Sequence, residues 1–133
     1  PEKMTLVYHE INWKHFMDCA ITCMFYPYDY KQLSEALSGA TGHDYGPRDI
    51  LTVGERAQTL CRLFNLREGL TAADDRIPQR VMKAFESGPL AGLEITEEAF
   101  TGALQMWYTL MGYTADGVPT EQRLEELGLA ELL

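Results

Sequence analysis

Asp18, Cys19 and Cys23 fall within the stretch MDCAITC, and His15 lies just upstream. Thiolates and imidazoles are the usual ligands of zinc, and thiolates hold iron–sulfur clusters. His15, Cys19 and Cys23 stand at i, i+4 and i+8, on one face of any helix that runs through them. Eight helical residues rise about 12 Å, whereas each zinc ligand lies about 2.0–2.3 Å from its ion. The outer two cannot share one ion unless the helix breaks, and a structural site takes four ligands. A self-contained zinc site is therefore not expected. A small metal-binding protein using Cys19 and Cys23 is the weakest of the functional readings.

The other reactive residues suggest less. Cys61 lies on the apolar stripe of a long helical segment and is expected to be a small buried hydrophobe. His9 and His43 have no evident partners and are expected at the surface. Gly39, Gly42 and Gly46 are spaced as punctuation, not as a phosphate-binding loop. Asp74 and Asp75 could pass for catalytic carboxylates, but after LREGLTAA they are expected in the first turn of a helix, favoured by its dipole. Glu121, Glu125 and Glu126 read as a solvated face.

The elements that must carry these residues are helical. Residues 5–17 show helical spacing through Val7, Ile11 and, loosely, Trp13, Phe16 and Met17, although their β-branched and aromatic content also suits a strand, and the aromatic stretch 18–29 around Pro27 reads as a turn. Asp29 with Gln32 forms a capping-box pattern opening a helix that Gly39 or Gly42 stops. Pro47 suits the first position of a helix over 47–68, with Ile50, Val53, Ala57, Leu60, Cys61 and Phe64 as its apolar stripe and Gly69 as its cap. TAAD at 71–74 is another box, Pro78 resets the chain, and 78–86 reads as a short helix. Residues 97–111 form a helix capped by Thr96 and ended by Gly112, ADGVP is a turn, and Thr120 caps EQRLEEL before Gly128. Strand-like alternation is almost absent. The expected fold is all-α, a compact bundle of about five or six helices, as a single domain over residues 1–133.

Composition narrows the partners. The chain carries 20 acidic against 11 basic residues, a net charge of −9, which repels a phosphate backbone, so no nucleic-acid partner is expected. No apolar run nears the roughly 18 residues of a membrane helix, and no secretory signal is visible. An odd, sparse set of 3 cysteines is no disulfide framework and suits a reducing, cytoplasmic setting. The chain begins at Pro1 with no initiator Met, which points to a start that was cut or lies upstream.

Two long blocks carry a resemblance. GERAQTLCRLFNLREGLTAADDRIPQR at 54–80 and MWYTLMGYTADGVPTEQRLEELGL at 106–129 are similar to the C-terminal pattern of the tungsten-dependent aldehyde:ferredoxin oxidoreductases. That pattern runs G-E-R, R-L-F-N-x-R-E-G, D-D-x-x-P-x-R, an aromatic pair, G-[WY], D-G-x-P-T and L-x-x-L-G-L. Here these are Gly54–Arg56, Arg62–Gly69, Asp74–Arg80, Trp107–Tyr108, Gly112–Tyr113, Asp116–Thr120 and Leu124–Leu129. Each block alone is weak, but their order and spacing together are specific and extend over nearly the whole chain.

The resemblance gives the opening stretch a counterpart. The family carries D-x-x-G-L-C shortly before its G-E-R block, and Asp18 and Cys23 have that spacing. By resemblance, Asp18 would accept hydrogen bonds from the pyrimidine edge of a molybdopterin, and Cys23 would be one thiolate of a [4Fe–4S] cluster. The family's Gly-Leu is Ile21-Thr22 here. Glycine allows a positive φ that isoleucine does not adopt comfortably, so the turn is expected to differ there or the cofactor to have been lost. Cys19 sits at a variable position of the motif.

A cluster takes four cysteines. The family draws the other three from an upstream C-x-x-C-x-x-x-C run, with its second pterin motif and catalytic Glu and His also upstream. The chain by itself is therefore expected to be inactive, to hold no catalytic residue and to bind no cofactor. The implied intact protein carries tungsten (or molybdenum) on a bis-molybdopterin plus [4Fe–4S], oxidises an aldehyde to a carboxylate and passes electrons to ferredoxin. Its implied partners are the N-terminal domains of the same enzyme, with a homodimer possible. The competing expectation is a stand-alone, non-catalytic helical interaction module that has lost the cofactors.

Overall fold

Capping residues set where the helices begin. In the computed structural model, which describes residues 2–132, six α-helices follow in chain order. They are α1 Glu2–Cys19, α2 Tyr30–Thr41, α3 Pro47–Arg67, α4 Gln79–Met82, α5 Glu97–Met111 and α6 Glu121–Glu126, with 3-10 turns at Ala72–Asp74 and Ala130–Leu132. The Asp29 side chain accepts from the Gln32 amide while the Gln32 side chain accepts from the Asp29 amide, closing the expected box. Thr96 and Thr120 cap α5 and α6 through the amides of Ala99 and Arg123. Pro47 opens α3, where its missing N–H costs nothing. Among the described residues there is no strand, only isolated bridges between Phe85 and Ala91 and between Tyr113 and Pro119.

Two expectations about extent need correction. α1 runs from Glu2 to Cys19, beyond both ends of the expected 5–17. The helix expected over 78–86 closes after Met82, because Lys83 is already extended at ψ 144°. Residues 83–95 then follow an irregular course that leaves Phe85, Leu90, Leu93 and Ile95 exposed.

α1 packs chiefly along α3, with α2 against α3 and α5 against α1. Phe16, Met17, Leu33 and Ile50 form one buried cluster among α1, α2 and α3, flanked by Trp13 and Tyr30, whose rings are 4.3 Å apart. Tyr108, Met111 and Tyr113 form a second with Tyr8. Leu124, Leu127 and Leu129 form a third against Leu63. Each such side chain contributes about 1.5–3 kcal/mol by leaving water.

α3 turns an unexpected face inward. Its buried residues are Ile50, Gly54, Glu55, Thr59 and Arg62, whereas Leu60 and Phe64 of the expected apolar stripe are exposed. Cys61, expected to be buried, is exposed as well. The reason is steric and electrostatic. A Cβ on Gly54 would stand 2.0 Å from the Asn12 carbonyl oxygen, so the close crossing of α1 and α3 needs this glycine at the seam. Glu55 and Arg62 next to it find ionic partners that make their burial tolerable.

Four helices close with the same device. After α3, α5 and α6, paired backbone hydrogen bonds wrap around Gly69, Gly112 and Gly128, all at positive φ. After α1 the Thr22 amide donates to the Met17 carbonyl at 3.0 Å and the Ile21 amide to the Asp18 carbonyl at 3.2 Å. Here the left-handed position is held by Ile21, at φ 55°. Ile21 thus adopts a conformation that glycine takes freely, at a cost of about 1–2 kcal/mol for an L residue.

Candidate functional site

Asp18 is in the last turn of α1, and Cys23 follows two residues after the left-handed Ile21. Because α1 ends at Cys19, Cys23 lies beyond the helix and off its face. The Asp18 carboxylate is exposed, with Lys14 Nζ at 2.7 Å from both oxygens. Solvated i,i+4 pairs of this kind are worth about 0.3–0.5 kcal/mol, so Lys14 orients Asp18 without committing it. Cys19, Cys23 and Cys61 are all free and exposed. Beyond Cys23, Phe25 and Tyr26 are also exposed, whereas Tyr28 turns back onto the first apolar cluster.

The donor chemistry of this turn fits a limited share of a cofactor site. It offers a carboxylate that can accept pterin N–H hydrogen bonds and a thiol that can become a cluster ligand. Among the described residues no group of three or more His, Cys, Asp or Glu is placed to hold a metal ion. His15, Cys19 and Cys23 are thus not gathered into one site. His9 packs edge-on against Tyr8 and His43 against Tyr45.

The motif residues of the second half lie elsewhere and do different work. Glu55 is 2% exposed, receives Arg123 Nη2 at 2.8 Å on Oε1 and accepts from the Tyr8 hydroxyl. Arg123 Nε donates to the Met111 carbonyl at 3.0 Å. Arg56 donates to the carbonyl of Leu127. Arg62 spans further: Nη1 donates to Asp75 Oδ1 at 2.9 Å, Nη2 lies 2.7 Å from Oδ2, and Nε donates to the Gly117 carbonyl at 2.7 Å. Asp75 also accepts from the Tyr108 hydroxyl. A Cβ on Gly117 would meet Arg62 Nη2 at 2.3 Å and the Tyr108 ring at 2.7 Å, and its φ of 70° is left-handed. The glycine is required twice over.

Asp74 and Asp75 therefore part company. Asp74 accepts from the Thr71 amide at 2.8 Å, and that hydrogen bond lowers its pKa. Asp75, expected beside it in a helical first turn, instead caps the 3-10 turn and reaches inward to Arg62 and Tyr108. Burial works against the Arg62 charge, but the Asp75 hydrogen bond and charge outweigh it and hold the guanidinium above its ordinary value. Burial, then the Asp75 hydrogen bond and charge, push the Tyr108 phenol up to about 12. A cleft of about 150 Å³ beside this network is lined by Cys61, Arg62, Asp75, Trp107, Tyr108 and Tyr113, among others.

The phenol gives a measurable consequence. The native state holds the Tyr108 proton more tightly than the unfolded chain, where the ordinary value is 10.0. Its contribution to stability is fully present below pH 10 and is lost as pH rises to about 12. Denaturant midpoints across that window should fall more steeply for the wild type than for Tyr108→Phe. Parallel slopes would show that the phenol is not held neutral by the fold.

Asp18 and Cys23 are singled out by the motif spacing alone, whereas the ion pairs Glu55–Arg123 and Arg62–Asp75, with Tyr108, emerge only in the tertiary structure. The available signal was the interleaving of Glu55, Thr59 and Arg62 with apolar residues in a helix otherwise read by its stripe. These residues clamp α3 to α5, to α6 and to the loop at Gly117.

Residues 1–129 match the family model of aldehyde ferredoxin oxidoreductase, domains 2 & 3. The chain is 35% identical, over 97% of its length, to the tungsten-containing aldehyde ferredoxin oxidoreductase of Pyrococcus furiosus, and 33% identical over 98% to that of Thermococcus kodakarensis. It is 29% identical over 87% of its length to the aliphatic sulfonate oxidoreductase, WOR-like subunit, of Pyrococcus furiosus. The chain spans about a fifth of these relatives, 21%, 22% and 20% of their lengths. Among solved structures, the active site complex BamBC of benzoyl coenzyme A reductase, in complex with 1,5 dienoyl-CoA, superposes with a TM-score of 0.75 over 97% of this chain and 20% of that one. At 22% identity that likeness speaks to the fold alone.

Proposed function

The chain belongs to the aldehyde ferredoxin oxidoreductase family, and from that premise we propose that it is one helical domain, residues 1–133, of a longer cytoplasmic tungsten enzyme. In that enzyme Asp18 accepts hydrogen bonds from a pterin, and Cys23 supplies one thiolate to a [4Fe–4S] cluster. The overall reaction takes an aldehyde and water to a carboxylate, three protons and two electrons, and the electrons leave through ferredoxin. The bound metal–pterin centre supplies the redox chemistry, with tungsten or molybdenum as the metal. This chain orients and tunes.

The observation that carries the proposal is the end of α1. An acid and a thiol stand exposed on either side of a left-handed turn, in the order and spacing of the family motif. The left-handed turn at Ile21 sets Asp18 and Cys23 on one connection, which supports this reading over a cofactor-free interaction module. The other cluster thiolates and the catalytic groups come from the remainder of the enzyme, which fits a chain spanning only about a fifth of its relatives.

Iron analysis of the full-length protein, purified anaerobically, tests the thiol. Cys23→Ser should lose most of the cluster iron, whereas Cys19→Ser should keep it. Equal losses, or a larger loss for Cys19→Ser, would assign the ligand to the wrong cysteine.

A further inference from the structure

Among the described residues, the left-handed turn after α1 is the one helix end of its kind not built on glycine. Its occupant is 93% exposed. Within this chain the Ile21 side chain therefore touches almost nothing that could offset its backbone strain. Isoleucine is among the poorest choices for such a position, and glycine or asparagine would make the same turn without the penalty. The side chain does not stand alone. Met24 is 54%, Phe25 89% and Tyr26 60% exposed, so four apolar side chains project from one connection between α1 and α2. That connection also carries Cys23, and Asp18 borders it.

Resting on the reading that the chain is part of a longer tungsten enzyme, we infer that Ile21, with Met24, Phe25 and Tyr26, docks onto an apolar surface of the cofactor-bearing remainder of that enzyme and seals the edge beside Asp18 and Cys23 from water. The occupant follows from three facts. An exposed apolar group of this size marks an interaction surface. The relatives are about five times longer than this chain, so most of the body available to cover the patch lies outside it. The patch is continuous with the acid and thiol assigned to the cofactor, so whatever brings the cofactor to Cys23 must also approach Ile21. Strain at Ile21 is then offset on docking, when its side chain leaves water.

Hydrogen exchange tests this on the full-length, anaerobically purified enzyme and on the isolated chain at several concentrations. Amides of residues 20–28 should exchange at least about 100-fold more slowly in the enzyme than in the isolated chain. Ile21→Asn suits the left-handed turn but removes the apolar contact, and it should lose about tenfold of that protection. Ile21→Leu keeps the apolar contact and should retain most of it. Equal exchange in enzyme and isolated chain, or full protection in Ile21→Asn, would overturn the docking role. So would concentration-dependent protection in the isolated chain, which would make a second copy the occupant. Iron and tungsten are measured in the same samples. Protection in a wild-type enzyme lacking both would support docking while overturning the cofactor assignment of Asp18 and Cys23.

Discussion

Gly54→Ala should remove about 3 kcal/mol of stability or more, a large share of the roughly 5–15 kcal/mol available to a domain of this size. The added methyl would sit 2.0 Å from the Asn12 carbonyl oxygen, 2.6 Å from its carbonyl carbon and 2.8 Å from its Cα. All three are backbone atoms in the middle of α1, so no side-chain rotation relieves the clash. The helices must move apart, and the cluster of Phe16, Met17, Leu33 and Ile50 is levered open with them. Gly39→Ala and Gly102→Ala are the controls. Both glycines lie within helices with open space at the Cβ, so alanine there should be neutral or stabilising by up to about 1 kcal/mol. Equilibrium urea unfolding of the three variants decides the matter. A loss below about 1 kcal/mol for Gly54→Ala would mean that α1 and α3 do not cross at this residue.

Arg123→Met should cost about 3–5 kcal/mol, the range for leaving a buried charge without its partner. Glu55 would be stranded at 2% exposure, with Tyr8 as its remaining donor and Oε2 already without one. The Met111 carbonyl would lose the Arg123 Nε donor too. The companion experiment is the double variant Glu55→Met, Arg123→Met. Replacing both charges with apolar side chains is often close to neutral, so the double variant should recover most of the loss. Lys31→Ala supplies the scale. Its partner Glu35 is 3.8 Å away and both side chains are mostly exposed, so the change should stay within about 0.5 kcal/mol. A double variant as unstable as Arg123→Met alone would show that the arginine acts through packing and its backbone contact, not through Glu55.

These two sites mark the boundary of what could be read from the chain. The α5 span, Glu97–Met111, and the caps at Asp29, Thr96 and Thr120 are observed as expected. The quoted blocks placed the chain in its family, but their spacing gave no hint of why those residues recur together. Gly54, Glu55 and Arg56 read as part of a pattern. The structure makes them a helix crossing, a buried ion pair and a donor to the Leu127 carbonyl.

By itself the sequence determined that the chain is helical, where the caps at Asp29, Thr96 and Thr120 open their helices, and which acid and thiol stand on one turn, but not the extents of α1 and α4. Those properties depend on groups a few residues apart: a cap side chain on an amide three residues on, or an apolar period of three to four. Only the tertiary structure decided which face of α3 is buried. Apolar content favoured Leu60, Cys61 and Phe64, yet the inner face carries Glu55, Thr59 and Arg62. Their burial depends on partners remote in the chain. Thr59 bonds Tyr113 across 54 residues, Arg62 reaches the Gly117 carbonyl across 55, and Tyr8 reaches Glu55 across 47. A buried charge is tolerable only when its partner arrives with the right geometry, and helical periodicity carries no information about a partner fifty residues away.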